Sequence, residues 1–206
     1  MRIGIDVGGT HTDAVIMDGN SVIAATKVLT SADVMEGVAN ALDTVLSDSD
    51  LPTHKIQSVM IGTTQFTNAI IERRQLAETG VFRLNLPSGR GLPPMVDWPS
   101  DIAEAVGGHA YALHGGKLYD GWPIADMDPD EIDGAIKDAK AKGLKNFAIS
   151  SAYSPMDPSP EEFVEARLRA AIPDAKITCS HSFGRLGLME RENAAILNAT
   201  LLHFAD

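Results

Sequence analysis

Two aspartates, two glycines and two threonines fall within one short run near the start of the chain, Asp6-Val-Gly-Gly-Thr-His-Thr-Asp13. Residues of those types at that spacing can hold a phosphate. Gly8 and Gly9 leave the backbone free to reach φ > 0 and let a ligand approach without a Cβ in the way. Successive N–H groups in such a turn make a concave anion site, and Thr10 and Thr12 add hydroxyl donors. Asp6 is the odd member. A carboxylate beside a phosphate repels it unless a cation lies between them, so a Mg²⁺ or its water shell is the natural partner. An ordinary hairpin with Asx-type turn bonds would account for a bare Gly-Gly; the fuller pattern favours the phosphate reading. His11, inside the turn, faces either a ligand or solvent.

Two further clusters carry chemistry. Gly62-Thr-Thr64 stands where a strand feeds a helix, so free N–H groups and two hydroxyls converge at a position suited to an anion or a carbonyl oxygen; Thr63 or Thr64 acting only as a helix cap explains it equally well. Asn68, one turn on, either orients a substrate amide or satisfies the turn. Near the end, Glu190 and Asn193 are three apart on a helix and share a face. Glu190 there suits a base or a metal-shell ligand, and Arg185 or Arg191 a phosphate or carboxylate clamp. Position alone favours a solvated helix face. The six histidines (11, 54, 109, 114, 181 and 203) show no metal-ligand spacing. The single cysteine, Cys179, lies in a strand-like run where small buried cysteines are common, which makes it a weak nucleophile candidate. Trp98, Tyr111, Tyr119 and Trp122 line a small-molecule pocket or cover a core edge. The chain contains no Gly-x-x-x-x-Gly-Lys-Ser/Thr, Gly-x-Gly-x-x-Gly or His-Glu-x-x-His motif.

The elements that must position these residues follow from periodicity. Alternation predicts strands on both sides of the glycine turn and a third at 21–29, an antiparallel meander. Asp33 and Glu36 are spaced as a capping box, and Val34, Val38, Leu42 and Val45 repeat at helical spacing. A strand at 56–61 and a helix at 69–76 come next. Residues 87–126 are rich in proline, glycine and isolated aromatics, as in an inserted subdomain, with a small hairpin expected at 109–119. A helix at 129–142, a second beginning at Pro160 and a third at about 188–203 then alternate with strands at 146–151 and 176–180. Ser159 is the expected N-cap of the second of these helices, with Pro160 first in the helix and Glu162 its capping-box partner. The alternation predicts a mostly parallel sheet extending the meander. The expected organisation is one α/β domain in parts: 1–86, an insertion at 87–126, and 127–206.

Composition sets the outer limits. The 206 residues can bury a sizeable core, and 44% hydrophobic with 22% charged residues describes an ordinary globular chain. A net charge of −11, from 17 basic and 28 acidic residues, argues against nucleic acid or anionic lipid as a partner. One cysteine permits no internal disulfide. No apolar run reaches membrane-spanning length, and the N-terminal residues lack the apolar core of a signal peptide, so the cytoplasm is the expected compartment.

Ile5-Asp-Val-Gly-Gly-Thr-His-Thr-Asp13, Gly62-Thr-Thr-Gln-Phe-Thr-Asn-Ala-Ile-Ile-Glu-Arg73 and Phe183-Gly-Arg-Leu-Gly-Leu-Met-Glu-Arg-Glu-Asn-Ala-Ala-Ile-Leu-Asn-Ala199, in that order, resemble the N-terminal region of the hydantoinase A / 5-oxoprolinase family. The resemblance spans nearly the whole chain. It implies the acetate kinase, sugar kinase, Hsp70 and actin superfamily, hence a ribonuclease H-like domain beginning with a three-stranded meander. It also implies ATP hydrolysis coupled to opening cyclic amides such as hydantoins or 5-oxoproline, with relatives serving in ATP-dependent ketone carboxylases. By this similarity Asp6 binds Mg²⁺ through water, with Asp13 and Glu190 as further catalytic candidates. Gly8, Gly9, Thr10, His11, Thr12, Gly62, Thr63 and Thr64 hold ATP, and Asn68, Arg191 and Asn193 meet the substrate. Phosphorylation of the amide oxygen would make the ring carbon electrophilic enough for water. Full-length members carry a second Asp-x-Gly-Gly-Thr-like loop and an adenosine-binding domain, so the chain is expected to be the phosphate-binding half of a longer protein, inactive by itself. The missing half or a second subunit would be its partner, and homo-oligomerisation is compatible with this. Residues 81–99 lack the family's usual Gly-Phe-Arg-Asp continuation. Two alternatives stand beside this reading: a sugar-kinase-like phosphotransferase, and a non-catalytic assembly module related to the carboxylases.

Overall fold

Alternating apolar residues in the opening segment form the expected meander: β1 (Arg2–Val7), β2 (His11–Asp18) and β3 (Ser21–Leu29), antiparallel in turn. The computed structural model describes residues 1–31 and 34–205. Ile3, Ile5, Val7, Ala14 and Ile16 point to one face of this sheet, where α1 (Val34–Ser49) covers them with Val38, Ala41 and Val45 at helical spacing. Asp33, the expected capping residue, lies outside the described residues. β4 (Ser58–Thr63) adds to the free edge of β1 in parallel, giving the order β3-β2-β1-β4. Helix α2 (Gln65–Glu72) starts earlier than the predicted Ala69. The outer edge of β4 has no neighbour among the described residues, and every residue of the strand is exposed, including Val59, Met60 and Ile61.

The chain divides into two compact units, Met1–Glu72 and Arg73–Asp206. The second contains β5 (Thr79–Leu86), α3 (Ser100–Ala105), β6 (His109–His114), α4 (Pro129–Ala141), β7 (Asn146–Ser151), α5 (Ser159–Ala171), β8 (Lys176–Cys179) and α6 (Leu188–Leu201). Its four strands are all parallel, in the order β6-β5-β7-β8. One expectation is thereby corrected: only β4 extends the meander, and the later strands build a separate sheet. The reason is burial. Six consecutive residues of β5 and five of β7 are buried, as in central parallel strands covered on both faces. Phe82, Leu84, Phe147 and Ile149 face α4 and α5, which contribute Ile132, Ile136, Val164 and Leu168. Val81 and Ala148 face Ala195, Ile196 and Ala199 of α6, together with Val106.

Residues 109–119 do not form a hairpin. β6 lies alongside β5 in parallel, so the loop-rich segment 87–126 supplies an edge strand of the second sheet. Gly115 and Gly116, at φ 131° and 83°, lead the chain away across the end of β5. A Cβ on Gly116 would stand 2.7 Å from the Leu84 carbonyl oxygen. Both the backbone conformation and the space therefore require glycine here. Gly116→Ala is expected to cost about 1–3 kcal/mol, read as an earlier midpoint in urea unfolding; an unchanged midpoint would show that this loop relaxes freely. Helix α5 also departs from expectation at its start. Pro158 occupies the cap position, and the Ser159 N–H donates to Asp157 Oδ1 at 3.0 Å. Glu161, rather than Glu162, is the residue that turns inward. Among the described residues no helix is long and apolar enough to cross a membrane.

Candidate functional site

Strand register assembles the first group. Asp6 stands opposite Asp13 on β2 and opposite Gly62 on β4. Cross-strand partners share a face, and like charges directly opposite one another are unfavourable. Lys27 relieves half of this by pairing with Asp13 at 2.8 Å. Asp6 is exposed and has no side-chain partner among the described residues. It borders an open concavity of about 580 Å³ on the face opposite α1, with Gly4, Asp13, Val15, Met60 and Gly62 among its lining residues. A carboxylate without a counter-charge, next to a residue with no side chain, has room for a hydrated cation. Mg²⁺, which keeps several of its waters, fits such a donor set.

The turn beyond Asp6 is held from behind. The Gly8 N–H donates to the His11 carbonyl at 2.9 Å, and Thr30 Oγ1 donates to the Gly8 carbonyl at 2.8 Å. Thr30 has spent its only hydroxyl proton there, so in its 3.1 Å bond with Thr12 it must accept. Thr12 is fully buried. Its hydroxyl thus fixes the shape of the turn and is not presented to solvent, unlike the exposed Thr10 and His11. Neither Gly8 nor Gly9 adopts a positive φ. Their service is close approach: a Cβ on Gly8 would lie 3.0 Å from the His11 carbonyl, and one on Gly9 would lie 3.5 Å from Asn68 Nδ2. Among the described residues, the N–H groups of Gly9 and Thr10 have no acceptor.

The junction of β4 and α2 closes on the same turn. Thr63 Oγ1 donates to the Val7 carbonyl at 3.3 Å and accepts the Gln65 N–H at 3.1 Å, so Thr63 caps α2 and explains its early start. The Thr64 N–H donates to the same Val7 carbonyl at 3.3 Å. Asn68 stands beside Gly9 and Thr64 is tied to Val7, while the Thr63 hydroxyl is committed to the backbone.

Glu190, Arg191 and Asn193 belong to the second unit, where the surroundings differ from either sequence reading. Glu190 is exposed and folds back against Gly187 at the start of α6. Asn193 Nδ2 donates to Asp97 at 3.4 Å. Arg191 and Glu192, in contrast, are buried. Arg191 donates to Ser154 Oγ at 2.6 Å, to Ser180 Oγ and to the Ser151 carbonyl at 3.0 Å. Burial pulls its guanidinium below the ordinary range, opposed by Glu161 and Glu192. Glu192 receives Arg83 through both carboxylate oxygens and Ser150 Oγ at 2.6 Å. Arg191 is thus an interior tie between α6, β7 and the segment after β8, not a clamp open to a substrate.

Glu161, Cys179 and His181 bring three potential ligand atoms within 4.8 Å. The Glu161 carboxylate is already committed, accepting from the Ser151 N–H at 2.9 Å, Ser180 Oγ at 2.6 Å, the His181 N–H at 3.0 Å and His181 Nδ1 at 2.8 Å. Burial, with the Glu165 and Glu161 charges beside it, pushes the Cys179 thiol far above its usual range. The group reads as structural, and Cys179 as an inert interior thiol.

Residues 2–172 match the hydantoinase/oxoprolinase N-terminal region. The chain belongs to that family. The caprolactamase subunit alpha of Pseudomonas jessenii is 25% identical over 97% of the chain, which covers 31% of that subunit. The crystal structure of an ATP-dependent caprolactamase from the same organism superimposes with a TM-score of 0.77 at 22% identity, over all of this chain and 32% of that one. A nucleotide-free acetone carboxylase gives the same TM-score at 16% identity, over 98% of this chain and 32% of its own. These two likenesses establish the fold. The chain spans about a third of the length of the relatives it matches.

Asp6, Gly8, Gly9, Thr10, His11, Thr12, Asp13, Gly62, Thr63, Thr64 and Asn68 lie in the first unit, inside the matched hydantoinase/oxoprolinase region, and Glu190, Arg191 and Asn193 lie in the second, beyond the matched residues. Sequence reasoning missed Arg83, Glu161 and Glu192. A signal was present for the two glutamates: Glu192 precedes Ile196 and Ala199 at helical spacing, and Glu161 precedes Val164 and Leu168 in the same way, so both ride buried faces, whereas Arg83 sits in a strand with no such pattern.

Proposed function

We propose that the first unit is the phosphate-binding jaw of a Mg²⁺-dependent ATP site in an ATP-dependent hydrolase that opens cyclic amides, working in the cytoplasm with the remaining two thirds of the length of its relatives or with a second subunit. The observation that carries this reading is Asp6, open to solvent and, among the described residues, unpartnered, close to the Gly9 and Thr10 N–H groups that have no acceptor there. Family membership and the named activity of the relatives, ATP-dependent caprolactamase, support it. Sheet order β3-β2-β1-β4 accords with the opening of a ribonuclease H-like domain.

In this reading Asp6 holds the cation's water shell, and Gly9 and Thr10 direct N–H groups at phosphate oxygens. Thr64 and Asn68 flank the phosphates. Thr12 and Thr30 keep the turn in shape without touching nucleotide. Lys27 pairs with Asp13, which would leave Asp6 as the carboxylate available to the cation. ATP, when bound, would supply a phosphoryl group to the amide oxygen with ADP as leaving group, making the ring carbon electrophilic enough for water, the phosphate departing as the ring opens.

The full-length protein carrying this chain, given Mg·ATP and a panel of lactams, hydantoins and sugars, is expected to release ADP in step with a ring-opened acid. Formation of a sugar phosphate, or ring opening that does not require ATP, would sink the reading.

A further inference from the structure

The second unit contains a cavity that the phosphate site does not use. In an open parallel sheet, ligands gather outside the carboxyl ends of the strands, where successive connections leave in opposite directions. From β5 the chain moves to β6 on one side, then crosses back to β7 and β8 on the other, so this point lies between β5 and β7. A concavity of about 490 Å³ lies there, within the range of small-molecule sites. Asn85 comes from the end of β5, Ala152 and Tyr153 follow β7, and Gly187 and Leu188 form the start of α6.

Its construction is specific. Tyr153 has φ 52°, a left-handed conformation uncommon for a bulky residue and concentrated at functional positions. Gly187 gives α6 no side-chain cap, so the Leu188 and Met189 N–H groups have no acceptor within the helix.

The chemistry of the lining selects the ligand class. Leu118, Ile124, Leu186 and Leu188 supply aliphatic walls, and the Asn85 amide offers a donor and an acceptor side by side. The Glu190 carboxylate lies against Gly187 and already neutralises the positive end of α6, so an anion would be repelled there while a neutral carbonyl oxygen would be accepted. We infer that this cavity binds a small neutral cyclic amide, its ring against the leucines, its N–H and C=O toward Asn85 and its carbonyl near the α6 N–H groups. Choosing a cyclic amide among neutral polar ligands rests on the function proposed above.

The test is a titration of the 206-residue chain with δ-valerolactam, without ATP, followed by amide chemical shifts. Saturable shifts at Asn85, Tyr153 and Leu188 are expected. They should weaken at least about tenfold, roughly 1.4 kcal/mol, in Leu186→Trp, which narrows the cavity from an exposed position, and should persist unchanged in Asp6→Ala. Absence of saturable shifts around the cavity up to the solubility limit overturns the inference. So does equally tight binding of 5-aminopentanoate, the ring-opened carboxylate. Mg·ATP added separately reports on residues 6–13: a response there with no lactam response removes this inference and leaves the ATP reading standing.

Discussion

Asp6→Ala is expected to lower ATP-dependent ring opening by the full-length protein about 100- to 1,000-fold, the loss typical when one preorganised electrostatic group is removed from a transition state. The same substitution should leave unfolding of the chain within about 0.5 kcal/mol of the parent. That pairing follows from the geometry. Asp6 is exposed, has no partner among the described residues and faces Asp13 across the strands, so its removal breaks no bond and relieves a repulsion. Steady-state turnover with Mg·ATP alongside urea melts would check both halves. Retained turnover would show that the cation is held elsewhere. Lost turnover with a collapsed midpoint would mean that Asp6 serves the fold instead.

The second large effect is one of stability. Glu192→Ala should destabilise the second unit by about 3–5 kcal/mol, because it strands a buried guanidinium. Arg83 is 4% exposed and gives both its Nε and Nη2 donors to Glu192; among the described residues the Leu92 carbonyl is its one further acceptor, taking Nη1. Ser150 loses its acceptor in the same change. The loss should appear as a thermal midpoint lowered by roughly 10 °C or more. Replacing both partners, as Arg83→Met with Glu192→Leu, should recover much of it, since a buried pair exchanged for apolar residues of similar size is often near neutral. If the double variant is as unstable as the single, the cost lies in α6 packing and not in the stranded charge.

Legibility in the sequence followed the physics of each element. β1, β2 and β3 alternate cleanly because one face of their sheet is covered and the other is open, and their bounds match the pattern. β5 was opaque. Thr79-Gly-Val-Phe-Arg-Leu-Asn-Leu86 carries a glycine and an arginine, yet it is a central strand whose arginine is satisfied from α6, 109 residues away in the chain. No local pattern reports such a partner. The Gly115-Gly116 pair resembled a hairpin turn because glycine marks any sharp redirection; only the proximity of Leu84 reveals why it is there. In the candidate site the residue types were legible, but their division of labour was not. Thr12 and Thr10 look equivalent as letters. Thr12 lies within β2 on its covered face, whereas Thr10 precedes the strand, in the turn, and is exposed.

The exposed edge of β4 has a practical consequence. Ser58-Val-Met-Ile-Gly-Thr63 contains no charge and no proline, and three consecutive large apolar residues stand in solvent along it. Sheet edges usually carry a lysine, a proline or a bulge that discourages another strand from adding. A neutral hexapeptide rich in strand-forming residues is instead the composition that stacks into dry, interlocked fibrils. In concentrated samples of the isolated chain this strand is where self-association would nucleate, so colloidal behaviour, more than thermal stability, would set the usable concentration.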